Sequence, residues 1–149
     1  PDDRAAVAAA VRERARAWTV QYVEPADIDR MGMTAALREA FGRAIVAVEE
    51  AGVAVDVVLL DGNPLHVDER EVNVVKGDAK CASIAAASLV AKVARDALME
   101  EYDAQYPGYG FASNKGYGSE GHMEAIRQKG LTPLHRRSFC TAFTQESLF

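Results

Sequence analysis

Val57-Val58-Leu59-Leu60-Asp61-Gly62-Asn63 and, after a polar connection, Glu71-Val72-Asn73-Val74-Val75-Lys76-Gly77-Asp78 decide the fold. Each is a β-branched or aliphatic run that ends at an Asp with Gly beside it. Runs of this kind, with almost no alternation, predict strands buried on both faces at the centre of an α/β sheet. Ligands of such sheets bind at the carboxyl ends of strands. Asp61 and Asp78 stand at those ends, seventeen residues apart. Their hard oxygens suit one shared Mg²⁺ or Mn²⁺ rather than zinc. Asp-Gly also makes a simple turn, so either Asp alone has a purely structural reading. The pairing favours a site.

Outward from this stretch, Thr34 to Ala51 is predicted to be a helix. Leu37, Phe41, Ile45 and Val48 form a core stripe, and Gly52 stands where a C-terminal cap belongs. Before it, Trp18-Thr19-Val20-Gln21-Tyr22-Val23 alternates as a strand does. Strand, helix and strand in this order predict a βαβ crossover. A helix opens the chain, capped by Asp2 or Asp3 and running to about Ala17. After Asp78, Ser83 to about Tyr102 is the longest predicted helix. Its small apolar first half implies close packing, buried on most sides. Tyr106 to Gly118 reads as a loop of glycines and aromatics. Ser119 then caps a last clear helix closed by Gly130, and Leu134 to Phe139 follows without an assigned element.

The 149 residues suffice for one domain with one core. No apolar run approaches the ~20 residues of a membrane span, and no leader pattern is visible. Cys81 and Cys140 are too few to staple the chain, which implies a reducing, cytoplasmic setting. The opening at Pro1 rather than Met reads as a processed or truncated product. Residues 1–75 hold 8 Lys and Arg against 14 Asp and Glu, whereas residues 76–149 hold 9 against 8. A polyanion would therefore meet the second half.

Lys76 and Lys80 flank Asp78, either to hold a metal-bridged phosphate or to neutralise the carboxylate. Tyr117 lies between Gly116 and Gly118 near Lys115, as a ring for a sugar or base or as an exposed turn residue. Arg136 and Arg137 read as phosphate contacts or as a solvated basic pair. The three histidines have no ligand spacing, and there is no Walker or dinucleotide loop. The set points to a metal-dependent enzyme acting on a polyanion and names no particular nucleic acid.

Asp61-Gly62-Asn63, Lys76-Gly77-Asp78-Ala79-Lys80, Ser83 to Ser88, Tyr106-Pro107-Gly108-Tyr109-Gly110-Phe111, Lys115-Gly116-Tyr117-Gly118 and His135-Arg136-Arg137-Ser138-Phe139, in that order, closely resemble bacterial ribonuclease HII. The resemblance is dense from Asp56 to Phe139 and looser over the first 55 residues. It implies a ribonuclease H-like α/β fold, a mixed sheet flanked by helices with a C-terminal helical extension. It also implies hydrolysis of RNA in RNA–DNA hybrids and at ribonucleotides embedded in duplex DNA, by a monomer using Mn²⁺ or Mg²⁺ in a two-metal site of four carboxylates. Asp61 matches the third family carboxylate and Asp78 the fourth. Tyr117 matches the tyrosine that stacks at the RNA–DNA junction. Lys80 matches a motif position beside the metal site, with its substrate role read from charge alone, and Lys115, Arg136 and Arg137, within the motifs quoted, are read as substrate contacts from their charge.

The family's first motif, a strand ending Asp-Glu-Ala-Gly-Arg-Gly, does not occur in this sequence. The strand at Trp18 would then be the family's third, with the first two missing and the domain incomplete at its N-terminus. Two of four carboxylates imply negligible nuclease activity for the 149 residues alone. The alternative reading is a truncated, non-catalytic module that binds nucleic acid or a partner. An unrelated α/β metal-binding domain is the third.

Overall fold

A computed structural model describes residues 2–144. The elements are α1 (Asp2–Arg14), α2 (Pro25–Met31), α3 (Met33–Glu50), β1 (Val58–Asp61), β2 (Glu71–Val74), a 3-10 turn (Gly77–Ala79), α4 (Ala82–Gln105), α5 (Phe111–Asn114), α6 (Glu120–Lys129) and α7 (Arg137–Thr144). The protein is thus mixed α/β, with a small parallel sheet and many helices. The chain forms two compact units, Pro1–Tyr22 with Thr34–Ala94, and Val23–Met33 with Arg95–Phe149.

The first unit holds the sheet. β1 and β2 pair in parallel, Val58 opposite Glu71 and Asp61 opposite Val74. The polar connection expected from the sequence joins them; the predicted βαβ crossover, from residues 18–23 through α3 to β1, fails instead because residues 18–23 form no strand. The link at residues 62–70 contains no helix, and its geometry comes from side chains. Glu71 accepts the amides of Leu65 and Val67, both at 2.8 Å. The Arg70 guanidinium grips Asp68 at 2.7 Å, Glu49 of α3 at 2.6 Å and the Val55 carbonyl at 2.9 Å. These bonds do the work a crossover helix otherwise does.

Four other expectations are corrected here. Residues 18–23 form no strand. Alternation permits a strand, but a strand forms only on a partner, and among the described residues β1 pairs with β2 alone. The Tyr22 carbonyl instead accepts from Arg43 at 2.6 Å, and Arg12 lies 4.7 Å above the Trp18 ring. The sheet is not buried on both faces. Val58 and Leu60 are buried, whereas Leu59 and Val72 are exposed. Nor is the first half of α4 enclosed: Ile84 and Val90 are buried, but Ala87, Ser88 and Ala91 are exposed. The stripe on α3 is only half-buried, and Leu37 is exposed. The Gly caps do hold, Gly52 at φ +83 and Gly130 at φ +82, as does the Ser119 cap of α6, which accepts from the His122 amide.

The second unit packs Met99, Tyr109, Phe111, Ala125, Ile126 and Cys140 into one apolar cluster. Tyr109 stacks on Phe111 with ring centroids 5.7 Å apart, and the buried His122 and His135 stack at 5.2 Å. His122 Nδ1 donates to the Tyr109 carbonyl at 2.9 Å, and His135 Nδ1 accepts the Thr132 amide at 2.9 Å. Burial, reinforced by His122, pushes the His135 pKa below its ordinary 6.5.

Acid should therefore act on the two units in different windows. The unfolded chain takes up the His135 proton near pH 6.5, before the folded unit does, so the second unit loses stability as pH falls below that value. In the first unit, Glu71 is held at about 2 by backbone amides and Asp68 at about 2 by Arg70, against ordinary values of 4.5 and 3.8. Stability from these carboxylates is complete above pH 4.5 and is lost as pH falls towards 2. An acid titration should show the tyrosine near-ultraviolet signal failing before the far-ultraviolet signal. One coincident transition starting below pH 4.5 would contradict this.

Candidate functional site

Of the two carboxylates the sequence places at strand ends, one stands there. Asp61 is the last residue of β1. β2 ends at Val74, earlier than expected, so Asp78 lies not on the strand but in the 3-10 turn that follows it. Lys76 makes this turn by adopting a left-handed backbone, φ 56 and ψ 48, a costly conformation for a non-glycine residue. The chain doubles back, and the Gly77 amide donates to Asp61 Oδ1 at 2.7 Å. The Asp61 carboxylate is thereby fixed against the backbone that carries Asp78. Both carboxylates are exposed.

Gly77 is buried in this turn, and a Cβ there would come 2.6 Å from Ile84 Cδ1 and 3.3 Å from its Cγ2. The absence of a side chain lets α4 lie directly against the carboxylate turn. Lys80 points back into the turn, its ammonium 2.7 Å from the Val75 carbonyl. Cys81 caps the start of α4, where the amides of Ile84 and Ser83 lower its thiol pKa.

As metal ligands, Asp61 and Asp78 fit in chemistry and in part in number. One or two carboxylates, with substrate phosphate and water, suffice for a hard ion such as Mg²⁺. Among the described residues, no group of three or more His, Cys, Asp or Glu is arranged to hold a metal.

The second unit carries the aromatic and basic candidates. Tyr117 is 75% exposed. Lys115 has a left-handed backbone, φ 52, and its ammonium reaches the Asp96 carbonyl at 3.4 Å and Glu100 at 3.3 Å on α4. Arg136 lies 3.9 Å above the Phe139 ring. Arg137 begins α7, a helix the sequence reading did not assign. Its N-terminal cap comes from far along the chain. Asp29 of α2 accepts the Arg137 amide at 2.6 Å, the Ser138 amide at 3.2 Å and the Ser138 hydroxyl at 2.5 Å. The Ser138 hydroxyl, then these amides, hold the Asp29 carboxyl below its ordinary 3.8 against the opposing effect of burial. Asp29 and Asn114 were missed in the sequence. A polar residue within a Ser-Asn-Lys-Gly turn was a signal for Asn114, but nothing local to Asp29 reveals its partner.

The protein is thus a mixed α/β chain whose first unit carries two exposed carboxylates at the parallel strand pair and the turn after it, and whose second unit carries an exposed aromatic ring and several cations. Comparison with known proteins makes this specific. The model of the family described as Ribonuclease HII matches residues 3–142, including residues 3–55, which the motifs alone place loosely. Ribonuclease HII of Laribacter hongkongensis is 44% identical over 153 residues, spanning 97% of this chain and 76% of that protein. Those of Levilactobacillus brevis and Solibacter usitatus are 44% and 43% identical, and the match spans 48% and 60% of their lengths. The chain belongs to the ribonuclease HII family, a family of endonucleases. It spans about half to three quarters of the length of these curated relatives.

Proposed function

We propose that these residues serve the hydrolysis of RNA paired with DNA, including single ribonucleotides embedded in duplex DNA, on a ribonuclease H-like scaffold. The observation that carries this reading is the 2.7 Å bond from the Gly77 amide to Asp61. It ties Asp61, at the carboxyl end of β1, to the turn after β2 that carries Asp78, and the carboxyl ends of parallel strands are the usual ligand position of α/β sheets. Asp61 and Asp78 would hold Mn²⁺ or Mg²⁺. When bound, such ions activate water and stabilise the leaving oxygen.

The protein's own residues do the rest. The Gly77 amide occupies one oxygen of Asp61 and orients the other outward. Lys80 neutralises charge around the turn and is one exchange of partner away from a substrate phosphate. Tyr117 offers its face to a base or sugar. Arg136 and Arg137 contact phosphate, and Lys115 supports the Tyr117 loop while adding positive charge. The protein acts as a cytoplasmic monomer. No described helix is long and apolar enough to cross a membrane.

The two carboxylates are half of a four-carboxylate site, so the 149 residues by themselves should bind a hybrid and cleave it negligibly. The test is to incubate the purified chain with Mn²⁺ and a labelled duplex bearing one ribonucleotide. Robust cleavage would refute the half-site reading. A second reading is a binding module without catalysis. It predicts that no supplied polypeptide restores cleavage. The first predicts that a polypeptide bearing the Asp-Glu-Ala-Gly-Arg-Gly strand does.

A further inference from the structure

We propose that Asn114 is the positioning residue that presents Tyr117 to nucleic acid. The inference rests on the reading of Tyr117 as a stacking residue. A ring on a loose loop loses stacking energy to the cost of ordering the loop, whereas a ring on a pre-formed loop does not. The loop at Tyr117 is pre-formed, and Asn114 is its brace.

The Asn114 side chain spans the loop. Its Nδ2 donates to the Tyr109 carbonyl at 2.7 Å, and its Oδ1 accepts the Gly116 amide at 2.8 Å. The Tyr109 end is anchored, because that residue is buried and its hydroxyl donates to the Gly130 carbonyl at 2.9 Å. The other end is the costly one. Lys115 and Gly116 are consecutive left-handed residues, at φ 52 and φ +81. Such a pair persists only when its surroundings fix it.

The Asn114 carbonyl then accepts the Tyr117 amide, and the Tyr117 carbonyl accepts the Ser119 amide, at 2.9 and 2.8 Å. A Cβ on Gly116 would stand 3.1 Å from the Arg95 guanidinium and 3.6 Å from Met99, so the loop lies close on α4. The Tyr117 backbone is bonded on both sides while its ring is exposed. The side chain is therefore held out by design of the loop, and among the described residues Asn114 is the one whose side chain is bonded to both ends of that loop.

The experiment measures the affinity of the purified chain for a labelled DNA duplex with one ribonucleotide, without divalent ion, by fluorescence anisotropy. Tyr117→Ala should weaken binding by about 5- to 150-fold, the range for one lost base–aromatic stack. Asn114→Ala should lose most of the same factor, and the double variant should bind no more weakly than Tyr117→Ala. Asn114→Asp keeps the acceptor for Gly116 but loses the donor to Tyr109, so it should fall between. If Asn114→Ala fails to fold, the Asn114→Asp value and its double variant with Tyr117→Ala decide the matter. Backbone order parameters at Gly116 to Gly118 should drop in both Asn114 variants. Full affinity in the Asn114 variants beside a weakened Tyr117→Ala overturns the proposal and leaves the stacking reading intact. Losses that simply add overturn it as well. No effect of Tyr117→Ala overturns the stacking reading, and the proposal with it.

Discussion

Asp61→Asn in a full-length ribonuclease HII carrying these residues should lower metal-dependent cleavage by ~10³-fold or more, a rise of ~4 kcal/mol in the barrier at about 1.4 kcal/mol per decade. The substitution isolates charge from shape. An Asn side chain still places an oxygen to accept the Gly77 amide, now 2.7 Å from Asp61 Oδ1, so the turn carrying Asp78 keeps its anchor. What disappears is the negative oxygen that a hard divalent ion requires. Hybrid affinity without metal should change little, because phosphate contacts by basic residues dominate it. In the 149-residue chain the same variant should abolish the thermal stabilisation given by Mn²⁺ while leaving the metal-free transition in place. Unchanged turnover in the full-length enzyme, or an unchanged Mn²⁺ effect here, would remove Asp61 from the site.

Gly77→Val should destabilise the first unit by ~1–3 kcal/mol, the usual cost of forcing carbon into a packed interior. For a chain of this size that is a drop of about 2–4 °C in Tm per kcal/mol. The clash is specific: the added Cβ meets the Ile84 side chain at 2.6 Å, and Ile84 is itself buried, with little room to yield. The same Cβ stands 3.4 Å from Asp61 Oδ1, so any relief that shifts the turn also shifts the carboxylate. Mn²⁺ affinity should fall with stability. Ile84→Ala clears the space, and in the double variant the cost should be less than the sum of the single costs, since residues in direct contact couple. Strict additivity, or a Tm unchanged in Gly77→Val, would show that the turn accommodates a side chain.

The pieces legible in the sequence are those whose causes are local. α3 and α6 end at glycines whose positive φ is a property of that one residue. β1 and β2 follow from β-branched runs, and Asp61 from its place at the end of one. The failures share a different cause. Residues 18–23 have the right alternation, but a strand also needs a neighbour to accept and donate its hydrogen bonds, and alternation does not encode a neighbour. The helix at Arg137–Thr144 was missed because its cap, Asp29, is 109 residues from Ser138. Lys80 and Lys115 were legible as charges, but not as ammonium groups turned onto the carbonyls of Val75 and Asp96. In the candidate site, residue identity could be read from the sequence. The bond from the Gly77 amide to Asp61, which ties β1 to the turn carrying Asp78, could not.

The Asp29 cap has a consequence for how the chain is made. The segment Val23–Met33 belongs with Arg95–Phe149, and its carboxylate waits for partners at Arg137 and Ser138. At roughly 5–20 residues per second, a ribosome delivers those partners on the order of five to twenty seconds after Asp29 emerges. Meanwhile the residues between them, Thr34–Ala94, can complete the parallel strand pair. During synthesis the early segment is a client without a home, exposed to chaperones and proteases until Arg137 and Ser138 arrive. For the same reason, no single cut in the polypeptide releases either unit whole.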